Sequence, residues 1–160
     1  MTTMTIEKTD LNDPFTHLKM NNIMVSDTTT DDLHILTGAE HDHIQVNQVT
    51  GNLLVESCSG NDRIEISNVT GNLEVHAGPG NDNVIIHTHI GGCSAIYGDD
   101  GDDLLLGGPS RDHLYGGHGD DTLIGGGGPD VLEGGDNTGH FRMTPQGVHL
   151  VEGDHLWGGY

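Results

Sequence analysis

Aspartates return at regular intervals along this chain, and each closes a glycine-bearing phrase. Ser59-Gly60-Asn61-Asp62-Arg63-Ile64 is followed by Pro79-Gly80-Asn81-Asp82-Asn83-Val84 and then by Asp100-Gly101-Asp102-Asp103-Leu104-Leu105. After Asp103 the interval halves. Aspartates fall at Asp112, Asp121 and Asp130, and Leu105, Leu114, Leu123 and Leu132 each follow an aspartate by two positions. A carboxylate is a hard oxygen donor, and glycine loops leave backbone carbonyls open to an ion. Ca²⁺ accepts six to eight such oxygens in a forgiving geometry, so two stacked loops can share one ion. Stacked carboxylates left unneutralised at strand spacing would repel one another strongly. The chemistry these residues suit is therefore cation binding, repeated at the corners of a periodic structure.

A fixed period calls for a solenoid in place of a globule. Alignment on the recurrent aspartate superposes Leu33, Leu53 and Leu73, then Ile35, Val55 and Val75. It also superposes Ile44, Ile64 and Val84, then Val46, Ile66 and Ile86. Each coil thus holds two short runs with apolar residues at alternate positions, which is the pattern of strands with one face inside. Turn phrases separate them: Val49-Thr50-Gly51-Asn52 and Val69-Thr70-Gly71-Asn72 at one edge, the Gly-Asn-Asp phrase at the other. An amphipathic helix is excluded after Leu33, because apolar positions recur at i and i+2 and glycine interrupts repeatedly. The fold class expected is all-β: a right-handed parallel β-solenoid (β-roll), with 20-residue coils followed by 18-residue coils. Asn52 and Asn72 suggest a short amide ladder at the edge opposite the aspartates, bounded by Asp32 and Cys93. An extra residue near His87-Thr88 lengthens one coil, and Ser94 then stands where an inward leucine is expected, a smaller residue for a narrowing interior. Four regions follow: a polar leader or N-terminal cap (1–22), 20-residue coils (23–97), a nonapeptide block (98–135), and an insertion with a degenerate terminal coil or cap (136–160). In the first region Asp13-Pro14 could cap and open one short helix.

Composition narrows the function. The 160 residues carry a formal charge of −20, from 25 acids against 5 Lys and Arg, with 26 glycines and only 32% hydrophobic residues. Such a chain borders on those that bury too little apolar surface to offset chain entropy. Divalent cations on clustered carboxylates are the obvious additional source of folding free energy. Nucleic acid is a poor partner, since no basic patch meets phosphate. Met1 to Phe15 lacks the apolar segment of a secretory signal peptide, and no window approaches a membrane span. Cys58 and Cys93 occupy different registers, so a disulfide between them is not expected.

From Gly98 the chain runs in nonapeptides: Gly98-Asp99-Asp100-Gly101-Asp102-Asp103-Leu104-Leu105-Leu106, Gly107-Gly108-Pro109-Ser110-Arg111-Asp112-His113-Leu114-Tyr115, Gly116-Gly117-His118-Gly119-Asp120-Asp121-Thr122-Leu123-Ile124 and Gly125-Gly126-Gly127-Gly128-Pro129-Asp130-Val131-Leu132-Glu133. This block resembles the G-G-x-G-x-D-x-U-x repeat of the RTX (haemolysin-type) proteins. The resemblance covers about a quarter of the chain strictly and extends loosely back to Thr37. It implies a β-roll binding several Ca²⁺ ions, roughly four or five, between same-side loops of successive coils. The implied metal residues are Gly60, Asp62, Gly78, Gly80, Asp82, Gly101, Asp103, Gly108, Asp112, Gly117, Gly119, Asp121, Gly126, Gly128 and Asp130. One column pairs Asp62 with Asp82, Asp82 with Asp103, and Asp103 with Asp121; the other pairs Asp112 with Asp130. It further implies a secreted bacterial protein whose repeat folds on meeting extracellular Ca²⁺, assists export and stabilises a neighbouring domain. The alternatives are the repeat half of a secreted toxin or effector metallopeptidase, and an adhesive surface module that self-associates. Departures from the pattern also matter. Glu40 stands where glycine is expected before Asp42, which puts the Asp42–Asp62 step in doubt. Ser110 replaces a glycine, Arg111 precedes Asp112, and Asn137–Val151 interrupts the repeat before Gly153-Asp154-His155-Leu156-Trp157-Gly158-Gly159. The end at Tyr160 reads as a truncation or as a cap formed by Trp157 and Tyr160.

The remaining constellations are weaker. His41 and His43 flank Asp42, and His87 and His89 lie two apart, but no H-E-x-x-H occurs and no third ligand recurs in register. Surface decoration is the better reading of the 12 histidines. No nucleophile–base pair shares a register and there is no phosphate loop, so an enzyme is not expected. Threonine does not recur at one outward position per coil, which argues against an ice-binding face.

Overall fold

Two strands per coil generate two parallel sheets. The computed structural model describes residues 3–7, 16–17, 22–26, 32–88, 90–135 and 155–157. One sheet stacks β1 (Thr3–Glu7), β3 (Asn22–Ser26), β5 (His43–Val46), β7 (Arg63–Ile66), β9 (Asn83–Ile86), β11 (Leu104–Leu106), β13 (Thr122–Ile124) and β15 (His155–Trp157) in that order. The other stacks β2 (Thr16–His17), β4 (Asp32–Leu36), β6 (Asn52–Glu56), β8 (Leu73–His76), β10 (Ser94–Asp100), β12 (Asp112–His118) and β14 (Val131–Gly135). Strands alternate between the sheets along the chain, and every paired neighbour is parallel. This is a β-solenoid, consistent with a β-roll. Among the described residues there is no helix long and apolar enough to cross a membrane. Thr16–His17, within the short helix expected from Asp13-Pro14, instead form β2 and pair with β4, because they continue the second sheet by one more coil; the rest of that segment, the inserted stretch Asn137–Val151 and Tyr160 lie outside the described residues.

The core is a set of stacked aliphatic columns. Ile44, Ile64, Val84, Leu105 and Leu123 form one, and Ile35, Val55, Val75, Ile96 and Leu114 face them from the second sheet; all are buried. A third column was not separable from turn residues in the sequence: Val49, Val69 and Ile90 pair in register and are fully buried or nearly so. They close the wide edge of the longer coils. Burying each such side chain contributes about 1.5–3 kcal/mol, which compensates for the slender cross-section.

The extra residue falls between Thr88, which bonds Asn68 at a separation of 20, and Cys93, which bonds Asn72 at 21. Beyond it the step drops to 18. At this junction the wide edge changes character. Ser94 continues the line of Leu33, Leu53 and Leu73, and the next residue on that line is Asp112. Ser94 donates its hydroxyl to the Asp112 carboxylate, so its role is to pair a buried charge as well as to occupy less space. Ser110 likewise ends the Val49–Val69–Ile90 line, exchanging hydrogen bonds with the Ile90 backbone at 3.0 and 3.1 Å.

Amide ladders seal the edges. Asp32 Oδ1 accepts from the Asn52 amide, Asn52 Oδ1 from Asn72, and Asn72 Oδ1 from Cys93, at 2.8–3.1 Å. This ladder is longer than the sequence indicated, because each rung needs one side-chain acceptor and any backbone N–H. Asp32 can accept, and Cys93 need only donate. On the outer face, His76, Tyr97 and Tyr115 stack at 4.6 and 4.8 Å with nearly parallel rings. The stack bridges the junction of long and short coils. Tyr97→Ala should lower stability by about 1–2 kcal/mol, read as a shift in denaturant midpoint at fixed calcium.

Candidate metal centre

One corner of every coil between Asp42 and Asp121 is built alike. A β-strand of the first sheet begins just after the aspartate, so the aspartate sits inside the turn where the chain enters the strand. Asp42, Asp62, Asp82, Asp103 and Asp121 are each at most 4% exposed. Each backbone amide donates to Oδ1 of the aspartate one coil later: Asp42 to Asp62 at 2.8 Å, Asp62 to Asp82 and Asp82 to Asp103 at 2.7 Å, and Asp103 to Asp121 at 2.9 Å. One oxygen each of Asp62, Asp82, Asp103 and Asp121 is therefore committed to the backbone. Oδ2 of Asp42, Asp62, Asp82 and Asp103 is buried with no hydrogen-bond partner.

An unpartnered buried carboxylate oxygen is costly. Burial is the main cause that raises the Asp62 pKa and raises those of Asp82 and Asp103 to about 7; the carboxylates of adjacent coils add to the rise, opposed in part by the backbone bonds. Without a counter-charge, the column resists ionisation.

The glycines complete the corner. A Cβ on Gly80 would overlap the Gly60 carbonyl oxygen, and one on Gly101 would overlap that of Gly80, while φ at these residues is +150° and +138°. Carbonyl oxygens thus stand in line beside the aspartates, one per coil. Gly60, Gly119, Gly78 and Gly117 belong to this corner as well. At Gly78 and Gly117 a side chain would strike the carbonyls of Cys58 and Asp99.

The second corner holds Gly108, Asp112, Gly126, Gly128 and Asp130. The Asp112 amide donates to Asp130 Oδ1 at 3.1 Å, and Asp130 Oδ2 has no partner. Asp112 differs from the rest. Its Oδ1 takes the Ser94 hydroxyl and its Oδ2 takes the Gly108 amide at 2.8 Å, so both oxygens are engaged by the protein. Gly108 serves as that donor, and a Cβ there would press on Ile86.

Glu40, in place of a glycine, puts the Asp42–Asp62 step in doubt from the sequence. The structure gives Asp42 the same burial, amide bond and unpartnered oxygen as its neighbours, and places the Glu40 carbonyl against Gly60. A carbonyl needs no glycine unless another coil crowds its Cα. The spacing from Asp42 to Asp62 was the available signal. Histidines are more engaged than surface decoration suggested: His34 meets Glu56 at 2.5 Å, His76 meets Glu74 at 2.9 Å, and His41 Nδ1 accepts the Asn61 amide at 2.6 Å.

Among the described residues no three side chains of His, Cys, Asp or Glu converge on a point. The donors that are present are hard oxygens, single carboxylates joined by backbone carbonyls, and these suit Ca²⁺. Residues 97–132 match the RTX calcium-binding nonapeptide repeat, in four copies. No curated protein and no solved structure matches the chain. The RTX segment begins at Tyr97 and covers the part of the solenoid where both corners carry aspartate. The coils holding Asp42, Asp62 and Asp82 precede it, yet their corner is continuous with its own.

Proposed function

We propose that this chain is a non-catalytic calcium-binding module whose solenoid is completed by Ca²⁺ held along the aspartate corners. The observation that carries the reading is the column of buried carboxylates Asp62, Asp82 and Asp103, each with one oxygen accepting the amide of the preceding coil and the other without a hydrogen-bond partner. Gly60, Asp62, Gly78, Gly80, Asp82, Gly101, Asp103, Gly117, Gly119 and Asp121 would hold ions at the first corner. Gly108, Asp112, Gly126, Gly128 and Asp130 would do so at the second, with Asp112 the weakest contributor. Bound Ca²⁺ supplies positive charge that lets these carboxylates ionise in place; the chain supplies oxygens, register and exclusion of water.

Because the corners are assembled only when coils stack, ion binding and folding are one equilibrium. RTX repeats occur in secreted bacterial proteins. A chain of charge −20 that stays open where calcium is scarce and closes where it is abundant is suited to crossing an envelope unfolded. Stabilising a neighbouring domain follows from the same transition.

The test is circular dichroism of the full chain during calcium titration, with EDTA reversal. A coil-to-β transition is expected, with a midpoint on the order of 10⁻⁴–10⁻³ M. Asp82→Ala with Asp103→Ala should raise the midpoint about tenfold or more. A solenoid that forms fully in EDTA at neutral pH overturns the reading.

A further inference from the structure

Cys58, Gly78, Asp99 and Gly117 occupy one place in successive coils, just past the outward stack, and all four have positive φ: +69°, +90°, +76° and +119°. Glycine is the ordinary occupant of such a position. Asp99 is an exposed carboxylate at that place, and the residue before it, Gly98, lies beside the unpartnered oxygen of Asp103. A Cβ on Gly98 would overlap Asp103 Oδ2, so that buried oxygen lies against the peptide leading into Asp99. Asp82 and Asp103 are each 3% exposed and each keep an oxygen without a partner. The Asp99 charge acts on both of them. The three carboxylates do not meet at one point, so Asp99 stands outside the pair.

We propose that Asp99 is the outer carboxylate of the cation site between Asp82 and Asp103, strengthening that site by its charge at the junction of long and short coils. The inference rests on the calcium reading above and deepens it. The neighbouring coils lack this charge: at the same place Cys58 offers a thiol, Gly78 and Gly117 no side chain at all. The junction site therefore binds a divalent cation more tightly than the site between Asp62 and Asp82. The charge works through solvent, since Asp99 is exposed, and so its effect must fall with salt.

Asp99→Asn keeps the shape and tolerance for left-handed backbone while removing the charge; Asp99→Gly removes both charge and strain. Calcium titrations of the full chain, followed by circular dichroism at about 20 mM and about 1 M KCl, separate the possibilities. At low salt both variants should need roughly five- to tenfold more Ca²⁺ than wild type. At high salt the difference should shrink below about twofold. In EDTA both should melt at or above the wild type, because a like charge has been removed. Midpoints unchanged at low salt overturn the proposal while leaving the calcium reading in place, as does a loss confined to Asp99→Gly. A wild type that does not respond to calcium removes both.

Discussion

Gly80→Ala will keep the coils from stacking even in saturating calcium. The added Cβ would sit inside the Gly60 carbonyl oxygen, and the backbone at Gly80 has φ +150°, which an alanine rarely adopts. No flexible side chain is available to move aside, because the obstacle is the backbone of the preceding coil. Relief requires lifting one coil off the other, which breaks the Asp62–Asp82 amide bond and the Gly60–Pro79 backbone bond together. Loss of such a unit exceeds about 3 kcal/mol, a large share of the stability of a small domain. Far-UV circular dichroism in excess Ca²⁺ should show coil over most of the chain. Asn61→Ala is the control: its exposed side chain only accepts the Asn81 amide at 3.1 Å, and the variant should fold with a small loss. A Gly80→Ala protein with wild-type melting would mean that the coils do not approach as described.

Acidification should fold the calcium-free chain. Burial, with help from neighbouring carboxylates, raises Asp82 and Asp103 from 3.8 to about 7. Asp42, Asp62, Asp112 and Asp130 are raised for the same leading reason. A carboxyl group whose pKa is higher folded than unfolded binds its proton more tightly when folded. Its contribution to stability is therefore fully present below about pH 3.8 and is lost as pH rises through about 7. In EDTA the β signal should be strong near pH 4, weaken through pH 5 and 6, and be lost near pH 8. Calcium reverses the slope, because the ion binds the ionised form and protons compete with it. At pH 8 the fold should depend on Ca²⁺, and at pH 4 it should be indifferent to it. An EDTA melting temperature that rises with pH would contradict the burial of these groups.

Much of this architecture was legible in the residues. Alternation of Leu33 with Ile35 and of Ile44 with Val46, repeated through the 20-residue coils, assigned strand side chains to inside or outside, since strand geometry reverses the side chain at every residue. Recurrent aspartates and glycines marked the corners, and steps of 20 and 21 residues placed Asp62 beside Asp82 and Asp82 beside Asp103. Periodicity also located the nonapeptides and with them the cation chemistry.

What periodicity could not supply was the contact between coils. Whether Val49 is a turn residue or a third wall of the core depends on how far the edge folds inward, which one coil alone does not specify. The split of each aspartate into a bonded Oδ1 and an unpartnered Oδ2 exists only once a second coil lies about 4.8 Å away. That Asp112 follows Ser94 along the line of Leu73 became visible only when the shortened coils set the register. Glu40 could stand in for glycine because a carbonyl's position is a backbone property, whereas the demand for glycine comes from the neighbouring coil. The chain by itself determined which residues face inward and what kind of ion they suit. Only the stacked structure decided which oxygens remain for that ion, because hydrogen bonds between coils consume the rest.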